Sequence, residues 1–158
     1  MPKTDPSQTL VQNRKAYHSY FIEDELVAGI ALLGSEIKSL RAGKANIQDA
    51  YVDISNKSTE AFLVNAHISP YKMSNNFNHE PLRKRRLLLH KKEVKKLLGK
   101  IQIKGYTVIP LKIFLNSRNI AKVKIGIAKG KKLYDKRASL KEKEVKRDIR
   151  RMMKEGAR

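Results

Sequence analysis

A mainly β fold, a small antiparallel barrel of OB type with two or three helices and a basic C-terminal tail, is predicted for this 158-residue chain by three observations. Short β-prone segments follow one another through turn-length connections, whereas parallel strands need crossovers of a dozen or more residues. Helical periodicity is confined to two or three segments. The stretch from Lys129 to Arg158 holds 13 Lys or Arg against 5 Asp or Glu, with too few apolar residues to fold alone. An open α+β sandwich is the alternative architecture. The expected organisation is a flexible N-terminus over 1–12, the barrel over 13–130 and the tail over 131–158.

Taken in order, Tyr17 to Glu23 is aromatic and β-prone, and Leu26, Ala28, Ile30 and Leu32 alternate through Gly29, which predicts a hairpin. Ser35 is a candidate N-cap for a short helix whose apolar side carries Leu33, Ile37 and Leu40, and Gly43 stops it. Ile47 to Ile54 and Ala61 to Ile68 read as two more strands joined through Ser55 to Thr59. The segment from Ser69 to Pro81 has loop chemistry, and Arg83-Lys84-Arg85-Arg86 then gathers four cations expected to touch phosphates. His90 to Lys104 is a helix, because Val94, Leu97, Leu98 and Ile101 share one face and the lysines the other. Tyr106 to Leu115 and Ala121 to Ala128 are the clearest strands, turning at Asn116 to Asn119.

Composition narrows the function. The chain carries 35 basic and 15 acidic residues, a net charge of +20. Removing the tail's 13 − 5 = +8 leaves +12 on residues 1–128, so both parts are basic and nucleic acid is the favoured partner, ahead of a membrane surface. Cysteine is absent, which rules out disulfides and thiolate metal sites. No export signal or apolar run of spanning length is visible, and a cytoplasmic location is expected. No metal site or cofactor is expected from His18, His67, His79 and His90, which lack ligand spacing. Asp49 and Asp53 lie roughly 13 Å apart along a strand, too far for a carboxylate pair. No phosphate loop or nucleophile elbow is present, so a binding protein is expected and not an enzyme such as a nuclease.

Two clusters stand out. From Gly34 to Asn46, the cations Lys38, Arg41 and Lys44 project from one helix and its exit among Glu36, Ser39 and Asn46. From Ile125 to Arg137, a strand ends in Lys129, Lys131 and Lys132 before Tyr134, whose ring could stack on a base. With Asn13-Arg14-Lys15, Tyr20-Phe21-Ile22, Asp49-Ala50-Tyr51-Val52, Arg85 to His90 and Gly105-Tyr106-Thr107-Val108, these motifs resemble, from about Asn13 to Arg158, the family of bacterial SsrA-binding proteins.

That resemblance implies a protein of trans-translation that grips the tRNA-like domain of transfer-messenger RNA. The complex enters the vacant A site of a stalled ribosome with elongation factor Tu and GTP. It implies RNA-binding roles for Arg14, Lys15, Glu36, Lys38, Ser39, Arg41, Lys44, Asn46, Lys129 and Lys131. It also implies a tail that becomes helical in the empty messenger channel, with Tyr134, Asp135, Lys136, Arg137, Lys143, Arg147, Arg150 and Arg151 meeting small-subunit ribosomal RNA. For Glu36, either direct RNA contact or orientation of Arg41 or Lys38 is implied. One departure is Val27, where many relatives carry an acid, which puts any RNA role of that acid in doubt here. The tail's own sequence fits such a helix: Val145, Ile149 and Met152 form a thin stripe, while Glu142 with Lys146 and Asp148 with Arg151 are helix-supporting pairs worth about 0.2–0.5 kcal/mol each. A small basic ribosomal protein or general structured-RNA binder is the alternative.

Overall fold

The fold is taken from a computed structural model that describes residues 8–57, 59–72 and 78–131, together with Arg147 and Arg150. Its elements are β1 (Gln8–Gln12), α1 (Arg14–Ser19), β2 (Tyr20–Ile30), α2 (Gly34–Arg41), β3 (Ala45–Asn46), β4 (Tyr51–Ile54), β5 (Ala61–Val64), β6 (His67–Ile68), β7 (Arg85–Leu88), α3 (Lys91–Ile101), β8 (Tyr106–Leu115) and β9 (Ala121–Gly130). Seven strands form one antiparallel sheet in the order β1-β8-β9-β2-β7-β5-β4, and β3 pairs with β6. Strand β4 packs back on β8, so the sheet curls around an apolar interior that includes Val52, Leu63, Ile68, Leu87, Val108, Ile113, Val123 and Ile125. The predicted mainly β class is the observed one, with three helices among the described residues.

Strands β8 and β9 form the frame because their apolar residues are buried on two sides. Val108, Ile113, Ile125 and Ile127 enter the main core, whereas Ile109, Leu111 and Ala128 pack outward under Ala16 of α1. The switch occurs at a bulge: Pro110 pairs with Ile125 and Lys112 with Lys124, leaving Leu111 as the extra residue. Pro110 is tolerated in a central strand because it stands at this interruption of the ladder. Gly126 lies beneath the outer cluster, where a Cβ would come 3.0 Å from Ile22 Cγ2 and 3.1 Å from Leu111 Cδ1. Helix α3 covers the main core with Val94 and Leu97, as its 3.6-residue period predicts.

Three expectations are corrected. The aromatic stretch is not half of a hairpin: Arg14–Ser19 is helical, and Tyr20–Ile30 is one long strand with a register shift between Ile22 and Asp24. Strand propensity loses there because Ala16 is buried against the outer face of β8 and β9. The segment expected as a flexible N-terminus over 1–12 includes a strand, since Gln8–Gln12 pairs with β8. Helix α2 does not use Ser35 as its cap; Leu33 is the N-cap residue, and Glu36 Oε1 accepts its N–H at 2.8 Å. Gly43, at φ +73°, ends that helix as expected.

Candidate nucleic-acid interface

Helix α1 is the junction of the basic surface, and Asn13 sets its position. The Asn13 side chain is buried and its Nδ2 donates to Pro110 O at 2.9 Å and Ile47 O at 3.4 Å, while its backbone N–H donates to Leu111 O at 2.8 Å. One residue thus ties the start of α1 to the β8 bulge and to the loop that leaves β3. Arg14 and Lys15 follow directly and are exposed. Lys15 lines a cleft of about 430 Å³ with Gln48, Asp49, Tyr51 and Gly130, so α1, the turn before β4 and the end of β9 meet at one opening.

The end of β9 is bound to the same helix. Lys131 Nζ donates to Tyr17 O at 3.3 Å and stands 4.8 Å from the Phe21 ring centroid. Lys129 pairs across the sheet with Phe21 on one side and Tyr106 on the other, its ammonium 5.6 Å from the Tyr106 ring. The result is a row of aromatic and ammonium groups at the point where the tail begins. The aromatic partners Phe21 and Tyr106 are not among the residues the sequence singles out for contact. The signal that finds them is strand register, which composition and spacing do not carry.

Helix α2 carries the second group of cations. Lys38, Arg41 and Lys44 are exposed, with Lys38 Nζ 5.7 Å from the Tyr71 ring. Ser39 is buried, contrary to an RNA-contact role: its hydroxyl donates to Ser69 O at 2.6 Å and its carbonyl accepts the Lys44 N–H at 2.9 Å. It positions Lys44 instead. Asn46 is exposed, and its Oδ1 accepts the Gln48 N–H at 2.9 Å, forming the turn that presents Gln48 and Asp49.

Glu36 is also corrected. Its side chain is 0% exposed, and it orients neither Arg41 nor Lys38 but pairs with Arg85, itself 0% exposed, and with Arg83 at 2.6 Å. Burial pushes the carboxyl up, but hydrogen bonds from Arg83, the Leu33 N–H and Arg85 outweigh it and hold the group below the ordinary glutamate value. Arg85 further donates to Ala66 O at 2.7 Å and Pro81 O at 3.1 Å. The run of four cations is therefore not one phosphate-facing cluster: Arg85 and Arg83 close the barrel over α2, Arg86 meets Glu60 at 3.5 Å, and Lys84 is left exposed.

Acidic residues on β2 are matched by lysines of α3 and β9. Asp24 pairs with Lys96, Glu23 with Lys100 at 3.2 Å, and Glu25 with Lys124 at 2.8 Å. The hydrogen bond from Lys96 holds the Asp24 carboxyl below its usual range, and that from Lys124 does the same for Glu25. Tyr17 donates to Glu25 at 2.7 Å, and partial burial with this bond pushes its phenol up to about 12. Val27 is exposed and directly opposite Lys124 in the sheet, so the ammonium that an acid at 27 would face is held by Glu25. Of the tail residues expected to meet ribosomal RNA, Arg147 and Arg150 are exposed; Tyr134, Asp135, Lys136, Arg137, Lys143 and Arg151 lie outside the described residues. No helix among the described residues is long and apolar enough to cross a membrane.

A sequence model of the family described as SmpB protein matches residues 10–155. The SsrA-binding protein of Shouchella clausii is 52% identical over 158 residues, covering 100% of this chain and 99% of that protein. The SsrA-binding protein of Clostridium novyi is 53% identical, covering 99% and 98%. That of Rickettsia typhi is 52% identical, covering 96% and 99%. A solved chain described as "tmRNA-SmpB: a journey to the center of the bacterial ribosome" superposes with a TM-score of 0.67 at 48% identity, over 80% of this chain and 87% of that one.

Proposed function

The chain belongs to the SmpB protein family, and on that premise we propose that it binds transfer-messenger RNA and carries it to stalled ribosomes in trans-translation. The observation that carries the proposal is the full-length likeness to SsrA-binding proteins, body and tail together. The contact of Lys131 with the Tyr17 carbonyl of α1 supports it, because the tail then departs from the basic surface itself. The barrel through residue 130 and the tail over 131–158 act as two contact units in the cytoplasm.

In this reading the barrel takes the tRNA-like domain of the RNA. Arg14, Lys15, Lys38, Arg41, Lys44, Asn46, Lys129 and Lys131 supply phosphate and sugar contacts, each phosphate neutralised releasing condensed counterions. Glu36 and Ser39 act beneath that surface by fixing α2 and its exit loop. Elongation factor Tu with GTP accompanies the complex to the vacant A site. The tail residues Tyr134, Asp135, Lys136, Arg137, Lys143, Arg147, Arg150 and Arg151 then enter the messenger channel along small-subunit ribosomal RNA. A short helix is marginal in water, so its formation draws on RNA contacts, and a message in the channel competes for the same space. An empty channel thereby becomes the binding signal, and the protein acts by binding, with no reaction of its own.

The test compares the full chain with residues 1–130. Both should bind transfer-messenger RNA at physiological salt against excess tRNA, the shorter one lacking only the Lys131 contact, whereas only the full chain should support tagging of stalled nascent chains. Normal tagging by residues 1–130 would refute the tail mechanism; loss of the RNA to tRNA competitor would refute the specific complex.

A further inference from the structure

We propose that the cleft between α1, the 48–51 turn and the end of β9 is a pocket for an unpaired guanine base. The proposal rests on the RNA-binding reading above and names what the surface takes hold of besides phosphate. At about 430 Å³ the cleft is of ligand size. Its apolar lining includes Ala16 and Ile109, and Tyr20 and Tyr51 bring two aromatic rings to it. Tyr51 is 44% exposed although its strand neighbour Val52 is buried, so its ring is open to a partner. Splayed nucleotides are held by stacking on such rings.

The polar lining selects the base. Lys15 and Asp49 both border the cleft and both are exposed, yet among the described residues neither takes part in an ion pair. An ammonium and a carboxylate on one small cleft, each without a charged partner, suit a ligand with donors and acceptors side by side on one edge. Guanine has N1–H and N2–H₂ for the carboxylate and O6 and N7 for the ammonium. Adenine would turn its N1 lone pair toward Asp49, and cytosine and uracil offer the carboxylate one donor group and less stacking area. The turn that presents Asp49 is itself fixed, by Asn46 Oδ1 on the Gln48 N–H and by Asn65 Nδ2 on Asp49 O at 3.3 Å.

Transfer-messenger RNA and ribosomal RNA can each supply an unpaired guanine, and the experiment separates them. Isotopically labelled full-length protein is titrated with millimolar GMP, AMP, CMP and UMP and followed by amide shifts. Shifts at Lys15, Gln48 and Tyr51 should saturate first with GMP, and Asp49→Asn should abolish that preference. Asp49→Asn and Tyr51→Ala are then measured for binding to transfer-messenger RNA and to vacant ribosomes. A roughly ten-fold loss, the worth of one stacked base, in either arm identifies the source. GMP acting no better than the other nucleotides, or both variants binding both RNAs like the parent, overturns the pocket while leaving RNA binding intact. Failure of the parent protein to bind either RNA overturns the functional reading itself.

Discussion

Replacing Glu36 by Gln should cost about 3 kcal/mol of stability without touching any exposed cation. The change keeps the size of the side chain and leaves an oxygen for the Leu33 N–H, so the helix cap survives. It removes the negative charge facing Arg85, whose side chain is 0% exposed, and facing Arg83, at 33%. Breaking a buried pair from one side leaves an uncompensated charge and costs about 3–5 kcal/mol. The lower end applies because Arg85 keeps the Ala66 and Pro81 carbonyls, and because solvent screens Arg83, whose share is at most about 1 kcal/mol. In thermal denaturation of the full chain the midpoint should fall by about 10 °C. The pH dependence follows with a definite sign. The folded carboxyl lies below its ordinary value of 4.5, so its contribution is complete above that value and is lost as pH falls through the folded one. Parent and variant curves should therefore converge in acid. A loss under about 1 kcal/mol at neutral pH, or curves that stay parallel below pH 4.5, would refute the buried triad as a stabilising unit.

Asn13→Ala should destabilise by about 1–2 kcal/mol, seen in urea unfolding, because Pro110 O and Ile47 O lose their donor while the side chain's unpartnered Oδ1 is removed with it. Gly126→Ala should cost about 1–3 kcal/mol, since its Cβ would press on Ile22 and Leu111, and the paired substitution with Leu111→Ala should recover less than it loses. Arg41→Ala should leave the unfolding midpoint unchanged, weaken transfer-messenger RNA binding and reduce the salt slope by about one; an unaltered slope removes Arg41 from the contacts.

What the sequence determined by itself was whatever depends on neighbours along the chain. The alternation of Val123, Ile125 and Ile127 is a strand wherever it packs, the stripe of Val94, Leu97 and Leu98 is a helix face, and Gly43 supplies a positive φ that few other residues accept. The charge balance pointed to a polyanion, and the ordered motifs from Asn13 to the tail identified the family. Only the tertiary structure decided which cations remain available. Arg83, Arg85 and Arg86 look alike in sequence, but Arg85 meets a carboxylate 49 residues away, and its burial follows from the placing of α2 over the barrel. Strand β1 exists because β8, roughly a hundred residues on, offers it an edge, and α1 turns helical because Ala16 finds a pocket made by β8 and β9. The meeting of Lys15, Asp49 and Gly130, and of Lys131 with Tyr17, depends likewise on register and on one bulge at Leu111. Local pattern carries the free energy of elements; which charged groups are desolvated and which face solvent is set by contacts distant in the chain, whose pairing leaves no periodic trace.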